Sequence, residues 1–361
     1  MPTASATEVR IGVLGLGRIG RLHAELLARQ VEGAAVTAVY DVDAAAAAGT
    51  AAALGGGVRV AASADELVAA PDVDAVAICT STDTHVPLIH AAARAGKAIF
   101  CEKPVSLDLA EVDAALDAVA TASLTFQIGF NRRFDPAHGA VRAAVADGTV
   151  GAPHLVRITS RDPAPPPPAY VRASGGLFLD MTIHDFDMAR YVTDSEVVAV
   201  TAHGAARIRP DIAEAGDVDT AVVTLEHADG CLTTIDNSRQ ASYGYDQRVE
   251  VHGSRGMAAS VNPPAHTAEV RTAGGATGGT LPAFFVERYT PAYVAQWRAF
   301  TTACAQGTAG SPGIADARAP LVIGLASQRS HAERRPVAID EIEAEAAGAP
   351  AASTASSPAT R

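Results

Sequence analysis

The chain has 361 residues, of which 48% are hydrophobic and 19% charged, and its formal net charge is −12. Length and apolar content suit two domains with a sizeable core, while the acidic balance argues against nucleic acid or an anionic membrane as partner. No apolar run is long enough for a transmembrane helix, no signal peptide is expected, and Cys79, Cys101, Cys231 and Cys304, which lack CxxC spacing, read as thiols of a cytoplasmic protein without a metal site.

The first stretch, VRIGVLGLGRIG, runs a short apolar strand into Gly15, Gly17 and Gly20, with a helix following through about residue 28. Strand, glycine turn and helix are the context a dinucleotide pyrophosphate needs. One glycine permits the turn, the next admits the phosphates, and the third lets helix and strand pack closely. The helix start at Arg18 and Ile19 offers free N–H groups to the anion. A second strand ends in Asp41, about twenty residues on, where an acid accepts the adenosine ribose hydroxyls. Asp41, with Asp43 beside it, repels a ribose 2′-phosphate, so NAD is expected over NADP.

The alternation continues with strands over 58–62, 73–79, 97–101 and 124–130. Helices are predicted over 65–70 behind Ser63, over 86–95, and over 107–120 with Ser106 as cap. Six strands with intervening helices predict a doubly wound parallel sheet. Ligands bind such sheets at the strands' carboxyl ends, which points to Thr80, Ser81 and Thr82 and to Glu102-Lys103. His85 reads either as a loop or helix-capping residue or as a cofactor contact. Only two lysines occur, Lys97 and Lys103; in an arginine-rich chain a retained lysine marks a place where a compact ammonium is needed rather than a planar fork.

From about residue 153 strands come in runs, over 154–160, 197–208, 218–227, 231–237 and 248–252, with helices over 179–191, 293–305 and 317–329. This predicts an α+β domain on a mostly antiparallel open sheet. A half-apolar open face needs cover, so a homo-oligomer packed sheet to sheet is expected. The boundaries are 1–135, 136–342, and an Ala/Ser/Thr/Pro tail over 343–361 expected to be disordered. Residues 163–168, PAPPPP, read as a stiff extended loop.

The densest chemistry lies in GGLFLDMTIHDFDMARY. If it is helical, Asp180, His184 and Asp187 share one face of an otherwise apolar run. Oxidising a hydroxyl-bearing carbon needs a nicotinamide, a base and a group that holds the oxygen. His184 suits the base, and Asp180 can orient it or hold a neighbouring hydroxyl. Lys103 suits the oxygen, and Glu102 the nicotinamide ribose. A base of this kind predicts oxidation that rises with pH between about 6 and 10.

The glycine loop 15–20, Cys101-Glu102-Lys103-Pro104, the segment 129–135, the run 180–187 and Tyr243-Gly244-Tyr245-Asp246 together resemble the Gfo/Idh/MocA oxidoreductases, and within them the bacterial inositol 2-dehydrogenases, over residues 9 to about 335. The resemblance implies a Rossmann domain, a C-terminal α/β domain, a homotetramer, and Lys103, Asp180 and His184 as the catalytic set. It implies that Asp187 and Tyr245 touch a cyclitol and that Asn131 and Asp162 shape its pocket. Asn131 and the run Ser160-Arg161-Asp162 depart from some relatives, which carry an apolar residue and His-Arg-Asn there. The expected reaction is NAD-dependent oxidation of myo-inositol to scyllo-inosose. Alternatives are scyllo- or chiro-inositol, a pyranose sugar or an aminocyclitol precursor as substrate, a redox-neutral NAD-using glycosidase, or a cofactor-binding sensor.

Overall fold

A computed structural model describes residues 8–348. The first part alternates β1 (Val9–Leu14), α1 (Arg18–Gln30), β2 (Ala34–Tyr40), α2 (Ala44–Leu54), β3 (Arg59–Val60), α3 (Ala64–Ala69), β4 (Ala75–Ile78), α4 (His85–Arg94), β5 (Ala98–Cys101), α5 (Leu109–Thr121) and β6 (Phe126–Ile128). The strands form one sheet in the order β3-β2-β1-β4-β5-β6, and every pair is parallel. All four residues of β4 are buried, as a strand covered on both faces requires. The order reverses between β1 and β4, and in open α/β sheets ligands bind outside the carboxyl ends of the strands at such a switch point.

Local chemistry sets the helix starts. Asp43 caps α2 through the N–H groups of Ala45 and Ala46, and Ser63 caps α3 through Glu66. The cap of α5 is Asp108, not the expected Ser106; Ser106 Oγ instead donates to Glu111 and accepts from the Asp108 N–H.

The chain continues with α6 (Pro136–Ala146), β7 (Pro153–Arg161), α7 (Pro168–Ala173), α8 (Gly176–Asp180), α9 (Ile183–Thr193), β8 (Val197–Ala205), α10 (Pro210–Glu214), β9 (Thr220–His227), β10 (Leu232–Ser238), β11 (Asp246–Gly253), β12 (Gly256–Ser260), β13 (Val270–Thr272), β14 (Gly275–Thr277), α11 (Phe285–Gln306), α12 (Ile314–Glu333), β15 (Val337–Ala338) and α13 (Ile339–Ala346). The second sheet has the order β12-β11-β7-β10-β9-β8-β15. Its neighbours are antiparallel except β7 and β10, which run parallel. The expected strand 197–208 ends at Ala205, and the next begins at Thr220 rather than at 218. The expected tail is also shorter, since α13 runs to Ala346; residues 349–361 lie outside the described residues.

Two apolar cores hold the assembly. One lies between the first sheet, α1 and α11, and joins Val13, Leu27 and Phe100 to Trp297 and Phe300. The other runs from Leu14 and Ile78 through Leu116 and Leu321 to Phe186 and Ile235 on the second sheet. Phe300 is fully buried, a contribution of about 1.5–3 kcal/mol for a side chain of that size. A helix late in the chain thus packs under the nucleotide-binding sheet.

Candidate active site

The glycine loop fits a dinucleotide. Gly15 has φ +85°, and a Cβ there would lie 2.6 Å from the Thr80 nitrogen, so the loop rests directly on the end of β4. A Cβ at Gly20 would lie 1.9 Å from the Gly15 carbonyl oxygen, whereas none of the described atoms comes within 4 Å of one at Gly17. The space a phosphate needs is therefore beside Gly17, at the start of α1, which has no side-chain cap. Arg18 stacks its guanidinium 5.5 and 5.3 Å from the ring centres of Phe284 and Phe285, and the half-buried Ile19 packs against the α1–α11 core. Asp41 braces the loop, one oxygen accepting the Leu16 N–H at 2.5 Å and the other the Asp43 N–H at 2.8 Å.

On β4's far end, Thr84 donates to the Thr80 hydroxyl at 2.7 Å, while Ser81 is exposed and Thr82 half-buried in the turn that follows. His85 is 1% exposed, and its Nδ1 and Nε2 lie 2.8 and 3.1 Å from the carbonyls of Pro104 and Thr80. Burial holds its pKa below the ordinary value despite those carbonyls. His85 therefore sits between two loops, its single N–H donating to one of the two carbonyls, and both ring nitrogens face backbone. Of the two lysines, Lys97 closes the chain after α3 by donating to Ala70 and Val73 carbonyls at 2.9 and 2.6 Å.

Lys103 leaves the carboxyl end of β5 and meets the second half of the chain. Its ammonium donates to the Asp180 carbonyl at 2.7 Å and to Asp180 Oδ1 at 3.3 Å. The same carboxylate accepts from the Tyr170 hydroxyl at 2.8 Å and from Arg239 at 3.2 Å. Burial alone would raise its pKa, but Lys103 and Arg239 outweigh that and keep it ionised below the usual carboxylate range. Tyr170 arrives on α7, directly after the proline run.

The stretch 175–191 is not one helix. Both Met181 and Thr182 direct their N–H to the Leu177 carbonyl, which ends α8 at Asp180 before α9 starts at Ile183. Asp180 and His184 consequently belong to two successive helices, and no hydrogen bond joins them among the described residues. His184 is half-buried; its Nδ1 is enclosed without a protein partner, and its ring stands edge-on to Phe130 at 5.8 Å. Burial pushes the His184 pKa well below 6.5, and the positive charges of Lys103 and Arg132 push it further. The imidazole is neutral at neutral pH.

Asp187 was expected at the pocket, but it is 1% exposed and accepts from Arg133 at 2.6 to 3.1 Å through both oxygens. Arg133 also reaches Asp316 at 2.7 Å, so this group ties α9 to α12. Asp185, which the sequence did not single out, anchors α9 to the second sheet by accepting from Arg132 at 2.6 Å, Ser160 at 2.5 Å and Asn237 at 2.8 Å.

The remaining expected residues line the same region. Asn131 is buried with its amide nitrogen unpartnered. Asp162 lies 4.0 Å from the Arg239 guanidinium, and burial lifts its carboxyl to about 6. Tyr245 packs edge-on against Phe284 and Tyr289 at 5.7 and 6.0 Å. Arg239 and Tyr170 were missed because no motif marks them; each shows its part only through its bond to Asp180 in the folded chain. Among the described residues no cluster suited to a metal ion occurs.

A strand switch point with an acid-braced glycine loop, and a lysine, a carboxylate and a neutral imidazole beyond it, define a nicotinamide-dependent oxidoreductase. Residues 9–130 match the family described as "Oxidoreductase family, NAD-binding Rossmann fold", and residues 138–259 match "GFO/IDH/MocA C-terminal domain". The chain belongs to the Gfo/Idh/MocA family, and its cofactor is NAD. It is 48% identical over 92% of its length to the inositol 2-dehydrogenase of Rhizobium meliloti, covering 99% of that protein. It is 45% identical, with the same coverages, to the myo-inositol 2-dehydrogenase of Thermotoga maritima. The crystal structure of scyllo-inositol dehydrogenase from Lactobacillus casei with bound NAD(H) and scyllo-inositol aligns with a TM-score of 0.85 at 30% identity, over 92% of this chain and 99% of that one.

Proposed function

We propose that the protein oxidises myo-inositol at C2 to scyllo-inosose, with His184 as the base. The observation that carries this is the Lys103 ammonium held by Asp180 in the neighbourhood of an imidazole kept neutral by burial and charge. An ammonium has three N–H donors. Two go to Asp180, and the third is left for the reacting oxygen, whose deprotonated form it favours. Bound NAD supplies the acceptor for the hydride leaving carbon. His184 takes the hydroxyl proton and passes it to solvent. Asp180 acts on Lys103 rather than on the imidazole, keeping the ammonium charged and aimed.

A ring of hydroxyls needs several acceptors and donors around it. Asp162, with its unfilled carboxylate beside Arg239, and Asn131, with its free amide nitrogen, suit that task, as does the Tyr245 hydroxyl; Asp187 contributes by fixing α9. Asp41 favours NAD over NADP by repelling a 2′-phosphate. The relatives' names support a cyclitol, and scyllo-inositol is the second reading because a structural neighbour holds it. A homotetramer in the cytoplasm is part of the same reading, supported by the exposed apolar residues of the second sheet and by four unpaired cysteines. A panel of myo-, scyllo- and chiro-inositol and pyranose sugars, followed by NADH absorbance, tests the assignment. The highest kcat/KM is expected with myo-inositol, and no NADH with any polyol overturns the dehydrogenase reading.

A further inference from the structure

Glu102 and Lys103 are neighbours at the end of β5, yet their side chains are committed to different partners. Lys103 turns to Asp180. Glu102 turns one oxygen into the core, where Oε1 lies 2.8 Å from His23 Nε2, and the other accepts the Lys103 backbone N–H at 3.3 Å. The carboxylate also lies flat against Gly129, where a Cβ would come within 2.9 Å of Oε1. Its side chain is 13% exposed, while that of His23 is 0% exposed.

The tautomer of His23 follows from the hydrogen bond on its other side. Trp297 Nε1 donates to His23 Nδ1 at 2.9 Å, and an indole nitrogen only donates. Nδ1 therefore carries the lone pair and Nε2 carries the proton, which points at Glu102. A proton on Nδ1 would set two N–H groups against each other, so the indole fixes Nε2 as the donor that faces Glu102. Phe100, Tyr293 and Trp297 stand edge-on at 5.3, 5.4 and 5.3 Å and hold the ring's plane. Two fully buried polar side chains from α1 and α11 are thus spent on one carboxylate at the ligand edge of the sheet.

We propose that His23 is the positioning residue that aims the Glu102 carboxylate at the hydroxyls of the nicotinamide-side ribose, with Trp297 setting its tautomer. Held this way, Glu102 is kept off the ammonium of Lys103, which stays free to serve the substrate oxygen. The inference rests on Glu102 as the ribose acceptor and not on which polyol is oxidised.

The test is NAD+ and ADP binding by calorimetry, ADP occupying only the adenosine half of the site. In His23→Asn the amide oxygen falls near the Nδ1 position and keeps Trp297 partnered, but the donor to Glu102 is gone. In His23→Gln the amide nitrogen falls near Nε2 and keeps that donor. His23→Asn is expected to weaken NAD+ about tenfold, the size of one hydrogen bond to a charged group, with ADP unchanged. His23→Gln is expected to stay within about threefold of the parent. In a Glu102→Gln background, His23→Asn should add no further loss. Equal losses for Asn and Gln, ADP affinity falling in step with NAD+, or additive losses in the double variant would overturn the proposal. If the His23 variants fail to fold, Trp297→Phe decides: with the indole donor gone nothing fixes which ring nitrogen carries the proton, so NAD+ is expected to bind more weakly with ADP unchanged, and an NAD+ affinity equal to the parent's contradicts the assignment. Failure of the polyol reading looks different, with NAD+ bound and no substrate turned over.

Discussion

Asp180 and His184 are four residues apart but belong to different charge environments, and that difference assigns their roles. Asp180 is flanked by Lys103, Arg239 and Tyr170 and stays ionised; His184 feels two positive charges and no carboxylate bond, and stays neutral. Lys103→Ala should therefore lower kcat by about 10³-fold, within the usual range for a lost donor at a reacting oxygen, while NAD still binds; near-normal turnover would refute its role. A base must be unprotonated to work, so activity is lost as pH falls through the depressed His184 pKa. The acid limb of kcat/KM is thus expected below pH 6.5, rather than as a rise between about 6 and 10, and a limb above 6.5 that disappears in His184→Asn would contradict the assignment. The sequence made Lys103, Asp180, His184 and Asp41 legible because short motifs mark them. It could not show Arg239, Tyr170 or His23, whose partners lie 59, 10 and 79 residues away and meet them only after folding. His85 and Asp187 carry the right chemistry in the right stretch, but the ring of one faces backbone carbonyls and the carboxylate of the other is held by Arg133.

At the scale of elements, the parallel sheet was readable because each buried strand is a short apolar run closed by a turn. The helices α2 and α6 were not anticipated. In α2 a run of alanines gives no apolar stripe, and α6 is announced only by its Asp135 cap and Pro136. The break between α8 and α9 was hidden because its residues, Met181 and Thr182, keep right-handed backbone angles and only the hydrogen-bond pattern shifts. The glycine loop offers the sharpest element-level test. In Gly20→Ala the new methyl meets the Gly15 carbonyl backbone, which cannot yield without moving the phosphate turn. Unfolding free energy should drop by about 1–3 kcal/mol, as overpacking does elsewhere, and NAD+ affinity should fall with it. Gly17→Ala, with open space around it, should spare stability and impair only the cofactor, measured by denaturant titration beside NAD+ binding. Equal stability losses in the two variants would refute this distinction.

For the whole molecule, the open sheet face and the proposed chemistry carry separate consequences. Leu155, Val222 and Leu232 are 50, 53 and 40% exposed, and Leu155 and Leu232 are direct partners across β7 and β10. Light scattering should return four times the 36.8 kDa chain mass, and Val222→Glu should reduce it by placing a charge on the covered face; a parent protein that stays monomeric at micromolar concentration rules the tetramer out. The mechanism itself is read most directly with myo-inositol deuterated at C2, incubated with the enzyme and NAD+. Hydride transfer to NAD predicts that the deuterium appears on the reduced nicotinamide and that scyllo-inosose forms in equal amount. Label lost to water, or a substrate cleaved with no accumulation of reduced cofactor, would contradict it.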